Sequence, residues 1–186
     1  MANIDALVAE YGRIARLRWE RHLSGAERVW CAVYAPSEER RVRARIPAFE
    51  EATVRAGHGW RVIDLTDTFA HWMADHRYRA SYFESPDLFA GGALNAFRDE
   101  CVACVRAALT AEDVGDSTVV ALCGAASLFG FVRVSAIIED VADDIRGRLL
   151  VFFPGEHSGN NYRLLDARDG WNYRATPIMA GEGATT

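Results

Sequence analysis

The chain has 186 residues, of which half are hydrophobic and 25% are charged, and its net charge is −5 at neutral pH. These proportions are typical of a folded protein and exclude a fibrous or wholly disordered one. A net negative charge argues against a general nucleic-acid binder. All 21 basic residues are arginine, which excludes mechanisms that need a phosphate-binding or Schiff-base lysine.

The beginning of the sequence lacks the basic region and long apolar run of a secretory signal. No window approaches the roughly 18 to 20 apolar residues that span a bilayer. We therefore expect a cytoplasmic protein whose four cysteines are reduced thiols.

Helices and short apolar strands alternate along the chain. Apolar residues at spacings of three and four predict a first helix over residues 3–23. The same kind of pattern predicts later helices over 38–56, 67–76, 87–110 and 134–146. Runs of apolar residues predict strands over 29–34, 60–65, 118–123 and 149–153, with 174–179 as a candidate fifth.

Local signals refine these boundaries. Pro47 is expected either to kink the second helix or to divide it in two. Thr66 is a candidate cap for the third helix, and the segment 82–86 is interpreted as an aromatic loop. Pro154 and Gly155 are expected to end the fourth strand.

Continuous apolar strands between helices indicate a parallel sheet that is covered on both faces. The prediction is a three-layer α/β fold with a mainly parallel sheet of about four to five strands. It is Rossmann-like or P-loop-like in outline but has no P-loop sequence. We expect one domain over residues 1–180, followed by a flexible tail over 181–186.

Ligands of open parallel sheets bind where the strands end, and small residues follow the third predicted strand. Gly124, Ala125 and Ser127 are the candidate phosphate-binding residues there, because backbone N–H groups of such a turn can hold an anion. The alternative is that small residues only let the chain turn close to the sheet.

Three further groups of side chains favour structural roles. Cys101 and Cys104 form a CxxC in the middle of a predicted helix, which favours packing over redox or zinc chemistry. The clusters of arginines and of acids are interpreted as solvated, ion-paired faces rather than phosphate or Mg²⁺ sites. These clusters are Arg13, Arg16, Arg18 and Arg21; Arg40, Arg41, Arg43 and Arg45; and Glu139, Asp140, Asp143 and Asp144. No catalytic constellation, metal site or cofactor is predicted.

The most distinctive stretch is the run from Leu149 to Tyr173, which is dense in amide, aromatic and Asp-Arg residues. Such residues either lock an irregular loop or form a surface for a partner protein. The candidate partner-binding residues are Asn160, Asn161, Tyr162, Arg168, Trp171 and Tyr173.

Five segments carry a resemblance that extends to about residue 178. They are GHGWRVIDLTDTF (57–69), YRASYFESP (78–86), VVALCGAASLFGFVRVS (119–135), DDIRGRLLVFFPGE (143–156) and NNYRLLDARDGWNYRATPI (160–178). Together they resemble the BrxB proteins of BREX, or bacteriophage exclusion, systems.

The resemblance implies a core subunit of an anti-phage defence complex, encoded beside a methyltransferase, an ATPase and a PglZ-type protein. It implies no catalytic residues. The expected role is a non-catalytic adaptor whose first partner is the PglZ-type protein and whose association with DNA is indirect. The alternatives are a degenerate nucleotide-binding domain, with its phosphate site at Gly124 to Ser127, and a DNA-binding subunit of the same system.

Overall fold

A β-sheet with helices on both faces forms the protein, and the computed structural model describes residues 4–20, 22–159, 161–165, 167–168 and 175–181. The strands are β1 (Val29–Tyr34), β2 (Gly59–Asp64), β3 (Thr118–Cys123), β4 (Arg148–Ser158), β5 (Asn161–Leu164), β6 (Ala167–Arg168) and β7 (Thr176–Ile178). The helices are α1 (Ile4–Ala15), α2 (Glu39–Arg55), α3 (Thr68–Ala74), α4 (Arg79–Glu84), α5 (Gly92–Leu109) and α6 (Val134–Val141).

The main sheet has the strand order β2-β3-β4-β1-β7, and every neighbouring pair in it is parallel. β1 lies beside β4 with Val29 opposite Leu149 and Tyr34 opposite Pro154. β5 and β6 form an antiparallel extension of the far end of β4. The predicted α/β fold with a mainly parallel, helix-covered sheet is therefore confirmed.

Alternation along the strands divides the core into two layers. In β1, Cys31 and Val33 point to the layer that also contains buried residues of α5 and α6. Trp30 and Tyr34 point to the opposite layer, which contains buried residues of α1 and α2. Since both faces are buried, β1 is apolar throughout, as expected for a central parallel strand.

The first helix ends at Ala15, eight residues before its predicted end. Trp19 folds back, and its indole N–H donates a 3.2 Å hydrogen bond to the carbonyl oxygen of Ala15. Its ring packs edge-on against Trp30, with centroids 5.5 Å apart. Burial of this aromatic pair outweighs the helical periodicity that continues in the sequence.

The other helices keep their predicted order but change their limits. α2 is one continuous helix with Pro47 inside it, and Pro47 is exposed. The predicted long helix over 87–110 begins only at Gly92, after a 3-10 turn at Pro86–Leu88. The predicted aromatic loop is largely the short helix α4. The helix predicted over 134–146 ends at Val141 and continues as a 3-10 turn at Ala142–Asp144.

β4 does not end at Pro154 and Gly155, which corrects the predicted strand end. It continues to Ser158 because β5 folds back onto it. A Cβ atom on Gly155 would lie 1.9 Å from the carbonyl oxygen of Arg163, so only glycine lets β5 approach this closely. Pro154 takes part through its carbonyl, which accepts a 3.0 Å bond from the N–H of Leu165.

The predicted tail begins at Gly181, which is exposed, and its residues 182–186 lie outside the described part of the chain. Among the described residues, none of the helices combines the length and apolar character needed to cross a membrane.

Candidate functional site

The carboxyl edge of the sheet carries a network of charged side chains. Arg43 of α2 donates to both carboxylate oxygens of Asp64, at 2.8 and 3.2 Å, and to Glu39 at 2.9 Å. Glu39 also accepts a 2.6 Å bond from the hydroxyl of Tyr34. The arginine thus joins the end of β1 to the end of β2.

Asp64 is held in its ionised form by this network. Burial raises the pKa of its carboxyl, but the bonds donated by Arg43 and Thr66 outweigh burial and lower the pKa to about 2. Thr66 was predicted to cap α3; instead its hydroxyl and its N–H both bond to Asp64, and Asp67 is the residue before the helix. The side chains that end β2 therefore stabilise the edge itself.

The candidate phosphate turn lies directly against this network. Gly124 has a φ of +82°, and a Cβ atom there would lie 2.8 Å from a carboxylate oxygen of Asp64 and 2.5 Å from the N–H of Thr66. The following four residues form a 3-10 turn, in which the N–H of Ser127 donates to the carbonyl of Gly124 at 3.0 Å.

This geometry gives a phosphate little support. The N–H of Ser127 is bonded within the turn, and the ionised carboxylate of Asp64 lies beside Gly124. Gly124 and Ala125 are buried. The small residues serve the alternative role considered above: they let the chain turn close to the sheet.

Three of the predicted partner-binding residues, Asn161, Tyr162 and Arg168, lie in the hairpin of β4, β5 and β6. Asn161 is exposed, whereas Tyr162 is fully buried and donates a 3.2 Å hydrogen bond to the carbonyl oxygen of Ala175. Burial excludes the Tyr162 side chain from an exposed partner surface, which corrects its predicted placement. Arg168 lies in β6, opposite Arg163. The other candidates, Asn160, Trp171 and Tyr173, lie outside the described residues.

A group of large apolar side chains, which we call the aromatic surface, covers one side of the molecule near the ends of β2 and β3. Tyr78, Phe83, Leu88 and Phe131 are its exposed members, and Tyr82 and Phe89 are half-buried. Phe83 is 71% exposed and Leu88 is 60% exposed. A groove of about 370 Å³ is lined by Phe69 and by four members of this surface, Tyr82, Phe83, Phe89 and Phe131.

The aromatic surface is tied to the core by stacked rings. Phe131 stacks on Phe69 with centroids 4.5 Å apart, and Phe69 meets the fully buried Phe97 edge-on at 5.1 Å. α4, by contrast, has no buried residue along its six residues. A helix this short is marginal without tertiary packing. The aromatic surface therefore consists of rings that pack on the core, such as Phe131, and of a weakly packed helix, α4.

The aromatic surface was not predicted from the sequence. Residues 82–86 were interpreted as a loop, and their aromatic side chains were assigned no role. The signal in the sequence was the density of aromatic residues between 78 and 89. Large apolar side chains on short, polar segments are difficult to bury, so they indicate an exposed apolar surface.

The thiols and acids keep structural roles. Cys101 is fully buried in α5, and burial raises the pKa of its thiol to about 12, so it is not a reactive thiolate. Asp140 pairs with Arg98, and Asp144 pairs with Arg106 at 2.8 Å. Within the described ranges, no group of three or more potential metal ligands is present.

Comparison with protein-family models, with curated proteins and with solved structures finds no match to this chain.

Proposed function

We propose that the protein is a non-catalytic adaptor subunit of a BREX anti-phage defence complex and that the aromatic surface contacts its partner. The system is suggested by the sequence resemblance, which runs from the N-terminal helix to about residue 178. The observation that carries a binding role is α4, which presents Phe83 to solvent and buries none of its own residues.

Aromatic side chains are enriched at the centres of protein interfaces, where a few of them supply most of the binding free energy. Scattered single apolar residues are common on protein surfaces, but a contiguous group around a groove is characteristic of an interaction site. A partner that covers Phe83 and Leu88 would also supply the packing that α4 lacks.

The partner we name first is the PglZ-type protein, because the resemblance places such a protein in the same system. Supporting a non-catalytic role, the thiols, acids and small-residue turn considered for chemistry are used in packing, ion pairs and backbone bonds. The sequence-based assignment of Arg168 and Trp171 to a partner surface stays a prediction.

The test is co-purification of the chain with the tagged PglZ-type subunit, followed by titration calorimetry. We expect Phe83→Asp combined with Leu88→Asp to weaken the association at least tenfold, since each change places a charge in a desolvated contact. Val54→Asp is the matched control, because Val54 is also 60% exposed but lies on α2.

Circular dichroism and thermal melting of all variants would verify that the fold is retained. The proposal fails if the wild-type chain associates with no BREX subunit. It also fails if Val54→Asp weakens the association as much as the double variant does, because the aromatic surface would then have no special part in binding.

A further inference from the structure

A second and larger cleft lies at the opposite, amino edge of the sheet. Its volume is about 930 Å³. It is built from residues 16–20 and 22, which follow α1, and from the residues that precede four strands: Arg28, His58, Ser117 and Arg146. We call it the arginine cleft.

Positive charge is concentrated in the arginine cleft. Five arginines line it (Arg16, Arg18, Arg28, Arg146 and Arg148) against two carboxylates, Glu20 and Asp116. The chain as a whole has a net charge of −5, so the positive charge of the cleft is opposite in sign to the net charge of the protein. A cleft lined mainly by one sign of charge focuses the field and attracts ligands of the opposite sign.

The cleft arginines lack the partners that most other arginines have. Eight arginines elsewhere pair with carboxylates within 4.0 Å, namely Arg13, Arg41, Arg43, Arg45, Arg55, Arg61, Arg98 and Arg106. The unpaired arginines outside the cleft, such as Arg40 and Arg77, are exposed. Across the described part of the chain, Arg16, Arg18, Arg146 and Arg148 take part in none of these ion pairs. Arg146 and Arg148 donate to backbone carbonyls instead. Carbonyls orient a guanidinium without cancelling its charge.

Arg148 is the most unusual member because it is only 5% exposed. Its guanidinium donates to the carbonyl of Gly147 at 2.9 Å and lies 4.8 Å from the ring centre of Trp19. Burial, followed by the charge of Arg28, lowers the pKa of Arg148, while the charge of Glu20 opposes this. Arg148 forms no ion pair within 4.0 Å in the described part of the chain, and an anion in the cleft would provide the close opposite charge that buried charged groups usually have.

The wall of the cleft is ordered before any ligand arrives. Trp19 stacks on His58 with centroids 3.8 Å apart and an interplanar angle of 14°. The Nδ1 atom of His58 lies 2.8 Å from the hydroxyl oxygen of Ser117. A preformed wall reduces the entropy that a ligand would lose in ordering the site.

We infer that the arginine cleft binds the oligophosphate group of a small ligand, with Arg16, Arg18 and Arg148 as the contacting residues. Guanidinium groups match phosphate oxygens in bidentate geometry, and several of them in one cleft favour a multiply charged anion over a single carboxylate. The volume is in the range of small-molecule sites. This inference does not depend on the proposed adaptor role.

The test is titration calorimetry of the purified full chain at low salt with sodium tripolyphosphate and, separately, with ATP. We expect both to bind with a Kd below roughly 100 µM. Arg16→Gln combined with Arg18→Gln should weaken both at least tenfold. Arg13→Gln is the matched control, since Arg13 is exposed on the adjoining helix, pairs with Glu10 and does not line the cleft.

The two ligands separate the source of recognition. Similar affinities for tripolyphosphate and ATP would support the phosphates as the recognised group, whereas binding of ATP alone would overturn that assignment. A single-stranded oligonucleotide that binds when tripolyphosphate does not would overturn a small-molecule site. Absence of binding by the wild type, or equal weakening in Arg13→Gln, would overturn the inference while leaving the co-purification test of the adaptor role unaffected.

Discussion

The arginines at the two edges of the parallel sheet have different hydrogen-bond partners. At the carboxyl edge, Arg43 is neutralised by Asp64 and Glu39, and Asp64 packs against the Gly124 turn. At the amino edge, Arg146 and Arg148 bond to carbonyl oxygens and face an open cleft. Ligands of open parallel sheets usually bind at the carboxyl edge, but here the charged side chains Arg43, Asp64 and Glu39 of that edge are bonded to one another.

The charge pattern of the sequence therefore does not show which arginines form ion pairs and which are free of carboxylate partners within the described residues. The two arginine clusters look alike in the sequence, and both were interpreted as ion-paired faces. In the second cluster the structure pairs Arg41, Arg43 and Arg45 with carboxylates, whereas Arg40 is exposed and takes part in none of these ion pairs. In the first cluster only Arg13 is paired, Arg16 and Arg18 line the cleft, and Arg21 lies outside the described residues.

The largest effect is expected from disturbing the pairing of β5 with β4 at Gly155. Gly155→Ala places a Cβ atom against the backbone of Arg163, which cannot move without separating β5 from β4. We expect a loss of about 3 kcal/mol or more in the free energy of unfolding, measured by urea denaturation. Gly92→Ala is the control, because a Cβ atom there contacts nothing within 4 Å. A loss of similar size in the control would contradict the steric explanation.

Replacing one arginine at each edge should give unequal results. Arg43→Met leaves Asp64 and Glu39 without their cation and should cost about 1–2 kcal/mol, a figure kept low because these side chains are partly exposed. Arg148→Met removes a buried charge with no ion-pair partner among the described residues. Its cost should be smaller, since apolar replacement of buried charges is often neutral. Equal costs in urea denaturation would remove the contrast between the edges.

The parallel sheet and its two helical layers were predictable, because a central parallel strand is a continuous apolar run. The segments 29–34 and 118–123 match β1 and β3 in full. The hairpin was not predictable from the same signal. β5 alternates exposed and buried residues, with Tyr162 and Leu164 buried, so it contains no continuous apolar run, and four alternating residues are a short signal without the pairing with β4.

The arginine cleft could not be predicted from the sequence for a related reason. Its residues come from five separate places in the sequence, between Arg16 and Arg148. They meet only because the order β2-β3-β4-β1 brings the beginnings of these strands to one edge. Local periodicity contains no information on that order, and Trp19 had been assigned to a helix that in fact ends four residues earlier.

A smaller effect should separate structural from surface roles within the C-terminal run. Tyr162→Phe removes the hydroxyl that bonds to the buried carbonyl of Ala175 and should cost about 1 kcal/mol in urea denaturation. It should leave association with a PglZ-type partner unchanged, because the ring stays in the core. A variant of full stability but weakened association would place Tyr162 at a partner surface after all.

The smallest effect is a pH dependence that arises at the amino edge. Burial lowers the pKa of His58, and the charge of Arg148 adds to this, while a bond to the carbonyl of Ala15 opposes it. The folded state therefore binds this proton less readily than the unfolded chain, whose histidines titrate near pH 6.5. The contribution of neutral His58 to stability is complete above about pH 6.5 and is lost as the pH falls through the lowered pKa.

We accordingly expect the melting temperature to decrease between about pH 8 and about pH 5, and His58→Gln to flatten part of that decrease. His157, at the opposite edge, provides the comparison, because burial also lowers its pKa. The two sites share no contact here, so their contributions should add, and His157→Gln should leave the His58 part intact. If His58→Gln keeps the full wild-type slope, then the stack of His58 on Trp19 does not favour the neutral ring, and the wall of the arginine cleft is less rigid than inferred.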